Sequence, residues 1–174
     1  MSDEKDDVAM PSIVSIVGKS GAGKTTLMEK LIPKLKSMGL RVGTIKHDVH
    51  GFELDHPGKD SWRHKQAGSA TTIISSPHKI GMVMDVDHDH TLDELTLFFP
   101  EVDIILSEGY KQENKPKVEI FRKEIHNSPL CLEDGNLIAL MTNANMDLGV
   151  PRFSIDDING LADFLIRYFK LNQK

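Results

Sequence analysis

Short apolar runs alternate along this chain with stretches in which apolar residues recur every three to four positions. Strands buried in a parallel sheet, with helices laid over them, leave this pattern. "SIVSIV" (Ser12 to Val17) reads as the first strand. After a glycine-rich loop comes a helix with Leu27, Leu31, Leu35 and Met38 on one face, closed by Gly39. Pro33 falls inside it and predicts a kink or two shorter pieces, since an interior proline costs about 3 kcal/mol. "LRVGTIK" (Leu40 to Lys46) is the second strand.

From His47 to Lys59 no period holds, and Gly and Pro punctuate the segment, so a long loop is expected. A short helix begins near Asp60. The strands "TTIISS" and "KIGMVMDV" follow it. "DVDHDH" (Asp85 to His90) reads as a solvated hairpin tip or loop. Thr91 and Glu94 have capping-box spacing. "VDIILSEG", "KVEIFR" and "LIALMT" are further strands, and a last helix carries Ile158, Leu161, Leu165, Tyr168 and Phe169 on one stripe, with Ser154 as its cap. The fold class expected is α/β and, because the loop from Gly18 to Thr25 reads "GKSGAGKT" between strand and helix, a P-loop NTPase with a mostly parallel sheet flanked by helices on both faces. Residues 1–11 read as a flexible lead and 12–174 as one domain.

The loop carries the chemistry. Gly18, four residues, then Gly23, Lys24 and Thr25 match G-x-x-x-x-G-K-[ST] between a strand and a helix. Glycines let successive backbone N–H groups converge on one point, and the helix N-terminus adds its dipole. Gly18, Lys19, Ser20, Gly21, Ala22, Gly23, Lys24, Thr25 and Thr26 are the expected triphosphate cradle. Lys24 reaches the β- and γ-phosphates, and Thr25 ligates Mg²⁺. A lysine directly after the first glycine also occurs in dimeric ATPases, where it reaches a partner's nucleotide. The alternative for Lys19 is a solvated surface lysine.

The metal needs a carboxylate at the carboxyl ends of the strands. Glu108 leaves its strand there, whereas Asp103 enters at the opposite end and reads as a strand-edge charge. Gly109 offers a backbone N–H to the γ-phosphate. Asp48 is a second metal candidate, or a plain loop aspartate. Asp60 is a candidate for orienting the attacking water or completing the metal shell, or an N-cap. Asn143, after "LIALM", is placed to meet the base or to serve a turn.

Composition narrows the partners. With 21 Lys+Arg against 26 Asp+Glu the formal charge is −5, which argues against a nucleic-acid binder. A single cysteine, Cys131, excludes an intrachain disulfide. No apolar run is long enough to span a membrane, and the acidic start lacks the character of a targeting peptide. A cytoplasmic protein is expected. Eight histidines are many for this length, but alternation in "DVDHDH" separates the imidazoles from the carboxylates.

The segments "GKSGAGKTTL", "RVGTIKHDVHGFELDHPGKDSWRHKQAGS" and "ILSEGYKQENKPKVEIFR", in that order, resemble the molybdopterin-guanine dinucleotide biosynthesis protein B (MobB) family. The resemblance implies a homodimeric GTP-binding protein with slow, Mg²⁺-dependent GTPase activity. It would assist a partner guanylyltransferase that joins GMP to molybdopterin, with molybdopterin itself a further ligand. It also implies that Lys24, Thr25 and Glu108 belong to the nucleotide–Mg²⁺ site. No N-K-x-D motif follows "LIALM", so guanine preference comes from the resemblance. No arginine is expected at the loop, and Arg63 is a candidate acting in trans. Two other functions fit the motifs: a GTP-dependent nickel metallochaperone, and a small-molecule kinase or synthetase.

Overall fold

The computed structural model describes residues 10–172, so part of the expected N-terminal lead lies outside the described residues. By internal packing the chain divides into two compact units, one comprising the residues up to His47 and from Thr91 onward, the other Asp48–His90.

The first unit is built on a six-stranded sheet in the order β2-β5-β1-β6-β7-β8, with all neighbours parallel. The strands are β1 (Ser12–Val17), β2 (Val42–Lys46), β5 (Ile104–Glu108), β6 (Lys117–Ile120), β7 (Leu137–Met141) and β8 (Arg152–Phe153). β2 starts two residues later than the apolar run predicts, and β8 is too short to leave a signal. α1 (Lys24–Ser37) and α4 (Ile158–Phe169) cover one face through Leu31, Leu35, Leu161 and Leu165, packed on Val14, Ile16, Leu106 and Val118. On the other face the short α3 (Leu92–Leu95) and its following 3₁₀ turn bring Leu92, Leu95 and Phe99 onto Ile13, Ile45 and Ile105.

α1 runs through Pro33 as one element rather than two pieces. Leu27, Leu31 and Leu35 are at most 3% exposed, and burying each contributes about 1.5–3 kcal/mol. Together they outweigh one lost backbone bond. Asp157, not Ser154, caps α4 by accepting from the Gly160 N–H, while Ser154 bonds to Asn143 instead. Tyr168 is 47% exposed, off the buried stripe, because Leu161, Leu165 and Ile166 take the core positions. Thr91 and Glu94 form the expected capping box.

The same sheet carries buried polar groups. Ser15 Oγ and Ser107 Oγ are 2.8 Å apart. Lys117, 2% exposed, pairs with Asp134 at 2.7 Å. The Glu119 carboxylate accepts from the backbone N–H groups of Leu130 (2.5 Å) and Cys131 (2.9 Å). These bonds tie the connection after β6 back onto the sheet.

In the second unit α2 (Asp60–Gln66) is followed by β3 (Thr71–Ser76) and β4 (Lys79–Met84), an antiparallel hairpin. The hairpin turns at Pro77 and His78, so "DVDHDH" follows its second strand and is not a tip. There His88 pairs with Asp87 at 2.6 Å and stacks on His90 with ring centroids 4.2 Å apart. No residue of this unit is buried.

Candidate functional site

β1 is central, and its carboxyl end lies where the chain reverses its direction of travel across the sheet, with β5 on one side and β6 on the other. Gly18 follows at once. Its φ of +147° suits glycine, and an added Cβ would stand 2.6 Å from Ile120 O. Gly23, at φ 104°, begins α1 without any side-chain cap, and no acidic residue sits in the first turn. Helix N-termini leave four N–H groups without intrahelical partners, and here no side chain satisfies them. Lys24 Nζ donates to Gly18 O (3.1 Å) and Lys19 O (3.4 Å), which holds the ammonium over the same loop. Uncapped amides, a helix dipole and a cation converge, an arrangement whose electrostatics favour an anion.

The β1–β5 register sets Ile16 beside Glu108. The Thr25 hydroxyl donates to Glu108 Oε2 at 3.4 Å. Two oxygens bound to one octahedral Mg²⁺ at about 2.0–2.1 Å stand roughly 3 Å apart, so a small movement suffices for both to ligate one ion. A hydroxyl and a carboxylate, both oxygen donors, also suit this metal chemically. Asp103 lies at the other end of β5, where its Oδ2 accepts the Arg41 N–H at 2.6 Å.

Gly109 sits at φ +117°, and a Cβ there would be 2.6 Å from His47 Cβ. The His47 N–H donates to Glu108 O (2.9 Å), and its ring stacks on Tyr110 with centroids 4.5 Å apart. The ends of β2 and β5 are thus fastened beside the loop. Asn143 follows β7, and its Oδ1 accepts from Ser154 Oγ (3.1 Å) and the Ile155 N–H (3.2 Å). Because a backbone N–H must meet oxygen, the amide is oriented with its NH₂ turned away from these partners.

The structure therefore brings together Gly18 to Thr26, Glu108 and Gly109. Asp48 and Asp60 belong to the second unit. Asp48 Oδ1 accepts the His50 N–H at 3.0 Å. Asp60 is the first residue of α2, with Lys59 rather than Asp60 at the N-cap, and it pairs with Arg63 at 3.6 Å. Lys19 is half-buried rather than solvated, donating to Ser128 Oγ at 3.2 Å.

Sequence reasoning missed the segment after β6. His126 Nε2 lies 2.9 Å from Ser20 O. Arg122 joins Ala22, Gly23, Thr26, Ile120 and Ile155 around a hollow of about 80 Å³ beside the α1 N-terminus. An arginine is thus placed at the loop after all, and its guanidinium has no hydrogen-bond or ion-pair partner among the described residues. Only the adjacency of β6 to β1 puts it there, and strand order is not written in "KVEIFR". Among the described residues no group of three or more His, Cys, Asp or Glu could hold a metal ion, so the dense histidines assemble no such centre. No helix among them is long and apolar enough to cross a membrane.

Residues 13–143 match the family model for molybdopterin guanine dinucleotide synthesis protein B. The molybdopterin-guanine dinucleotide biosynthesis adapter protein of Haemophilus influenzae is 38% identical, over 88% of this chain and 86% of its own length. That of Escherichia coli is 36% identical, over 92% and 95% respectively. The crystal structure of Bacillus subtilis MobB superposes with a TM-score of 0.74 at 31% identity, covering 94% of this chain and 99% of that one.

Proposed function

The chain belongs to the MobB family of molybdopterin guanine dinucleotide synthesis proteins, and from that membership we propose that it is a GTP-binding adapter in molybdopterin-guanine dinucleotide biosynthesis. The observation that carries the nucleotide half is the uncapped α1 N-terminus with the Lys24 ammonium folded over it and Thr25 and Glu108 3.4 Å apart. The loop amides and Lys24 hold the triphosphate, Thr25 and Glu108 hold Mg²⁺, and the ion neutralises charge on the terminal phosphates when bound. Gly109, whose missing side chain lets backbone come close, offers its N–H to the γ-phosphate. Asn143, with its NH₂ free to donate, suits the O6 acceptor of guanine better than the amino group of adenine. Arg122 walls the hollow next to the loop and is available to the nucleoside end.

Hydrolysis is slow on this account, because catalysis rests on positioning and charge neutralisation and the loop residues Gly18 to Thr26 supply no general base. The partner receiving the nucleotide-dependent signal is a guanylyltransferase acting on molybdopterin, and the setting is the cytoplasm. A homodimer is supported by the open face of the β3–β4 hairpin. The register puts Ile73, Met82, Ile80 and Met84 on one side, with Ile73 at 59% and Ile80 at 76% exposure. A two-stranded hairpin is marginal alone in water, and a second copy would cover that face.

Titration with GTP, GDP and ATP, with and without Mg²⁺, on the wild type and Lys24→Ala tests the proposal. GTP should bind most tightly, only weakly without Mg²⁺, and at least tenfold more weakly to Lys24→Ala, the loss of a charge-assisted contact of about 1.5–3 kcal/mol. Equal affinity for GTP and ATP, or an unaffected variant, would overturn it.

A further inference from the structure

The second unit contains a cavity of about 300 Å³ that the nucleotide chemistry above does not use. This volume is at the lower end of the range for small-molecule sites, about 300–1,000 Å³, and suits a two-ring heterocycle rather than a whole dinucleotide. One side of the hairpin floors it, because the register places Thr72, Ile74, Gly81 and Val83 on the same face. Gly81 keeps that floor low, with open space where its Cβ would be. Trp62 from α2 and Phe52 from the preceding loop stand around it as aromatic walls.

Its polar groups are unevenly matched. Asp55 lines the cavity, and the Ser61 hydroxyl bonded to its carboxylate, aided by the His56 N–H at 2.8 Å, holds it below the usual carboxylate range. An ionised carboxylate has about four acceptor positions, and those two donors leave the rest open. The cation in the lining is already committed, since Lys65 Nζ pairs with Asp85 at 2.5 Å and donates to Ser69 O at 2.8 Å. Glu53 adds a second carboxylate to the lining. Thr72 Oγ1 is shielded from solvent and has no hydrogen-bond partner among the described residues. Acceptors with no uncommitted lysine or arginine in the lining disfavour phosphate. They favour a flat ring whose edge presents adjacent N–H donors.

We propose that this cavity binds the 2-amino-4-oxopyrimidine ring of a fused heterocycle, with its ring N–H and amino group on Asp55 and its face against Trp62. Guanine and pterin share that edge. Adenine does not, because it sets a ring acceptor beside its amino group, which a carboxylate disfavours.

Trp62 is the chain's one tryptophan, so its fluorescence reports the cavity directly. The full-length protein is titrated with 6-hydroxymethylpterin, guanosine and adenosine, and the heats are read in parallel by calorimetry. One or both of the first two should quench Trp62 saturably, and the tighter of them identifies the source of the ring; adenosine should bind at least tenfold more weakly. Asp55→Asn should weaken the preferred ring about tenfold or more, because an amide returns an N–H where the ligand offers one. Lys24→Ala, which empties the phosphate cradle, should leave ring binding unchanged, so failure here and failure of the nucleotide site are separable. Circular dichroism checks that each variant folds. No saturable binding of either ring, equal binding of adenosine, or an Asp55→Asn variant that binds as well as wild type would overturn the assignment.

Discussion

Replacing Gly18 by alanine tests the loop's geometry against a built-in control. The new methyl would stand 2.6 Å from Ile120 O and 3.2 Å from Ile120 Cγ2. Ile120 is in β6, a strand paired to neighbours on both sides, so the oxygen cannot retreat without moving sheet backbone. At Gly21, φ is +75° and an added Cβ meets nothing within 4 Å. Both substitutions place a Cβ on backbone that L-residues disfavour, which costs roughly 1–2 kcal/mol. Gly18→Ala adds an overpacking cost of about 1–3 kcal/mol. The expected destabilisation is about 2–5 kcal/mol for Gly18→Ala and about 1–2 kcal/mol for Gly21→Ala. With a urea slope of about 1–3 kcal/mol/M, the two midpoints should differ by roughly 1 M when unfolding is followed by circular dichroism. Coincident midpoints would refute the idea that the β6 carbonyl, rather than backbone conformation alone, requires glycine at this position.

Glu108→Gln should lower the affinity for Mg²⁺–GTP while leaving metal-free GTP binding nearly unchanged, measurable by titration with EDTA and with Mg²⁺. Asp134→Ala should cost about 3–5 kcal/mol in denaturant unfolding, because it strands the Lys117 ammonium, 2% exposed, without its partner. The Lys117 hydrogen bond holds Asp134 below its ordinary 3.8; the pair therefore stabilises the fold above that pH and the stabilisation is lost as pH falls through the lower folded value, so Asp134→Asn should flatten the acid limb of a stability–pH profile. Burial, with the Glu119 charge next in weight, pushes the Cys131 thiol up to about 12, so iodoacetamide should label it slowly at pH 8 in the folded protein and much faster in urea.

Five strands of the main sheet and both long helices were legible because each is rich in apolar or β-branched residues or carries an apolar stripe. β8, two residues long, carries neither. Pro33 misled because propensity is local, whereas the burial of Leu31 and Leu35 is decided by the sheet beneath them. Asp157 displaced Ser154 as the α4 cap because both residue types cap well and only the chain path beside Asn143 engages Ser154 elsewhere. Spacing alone put Thr25 and Glu108 on one edge. It could not put Arg122, His126 and Ser128 there, since these arrive through the order of strands and through Glu119 and Lys117 anchoring the connection that follows β6.

What residue order determined by itself is the phosphate cradle: closely spaced glycines, a lysine and a hydroxyl act within a single short loop, so their chemistry follows from local backbone geometry. Tertiary structure decided what surrounds it. Which strand lies beside β1, which arginine reaches the loop, and which side chains enclose the space under Trp62 are contacts between residues far apart in the chain, and these depend on how the sheet and hairpin pair rather than on any local pattern.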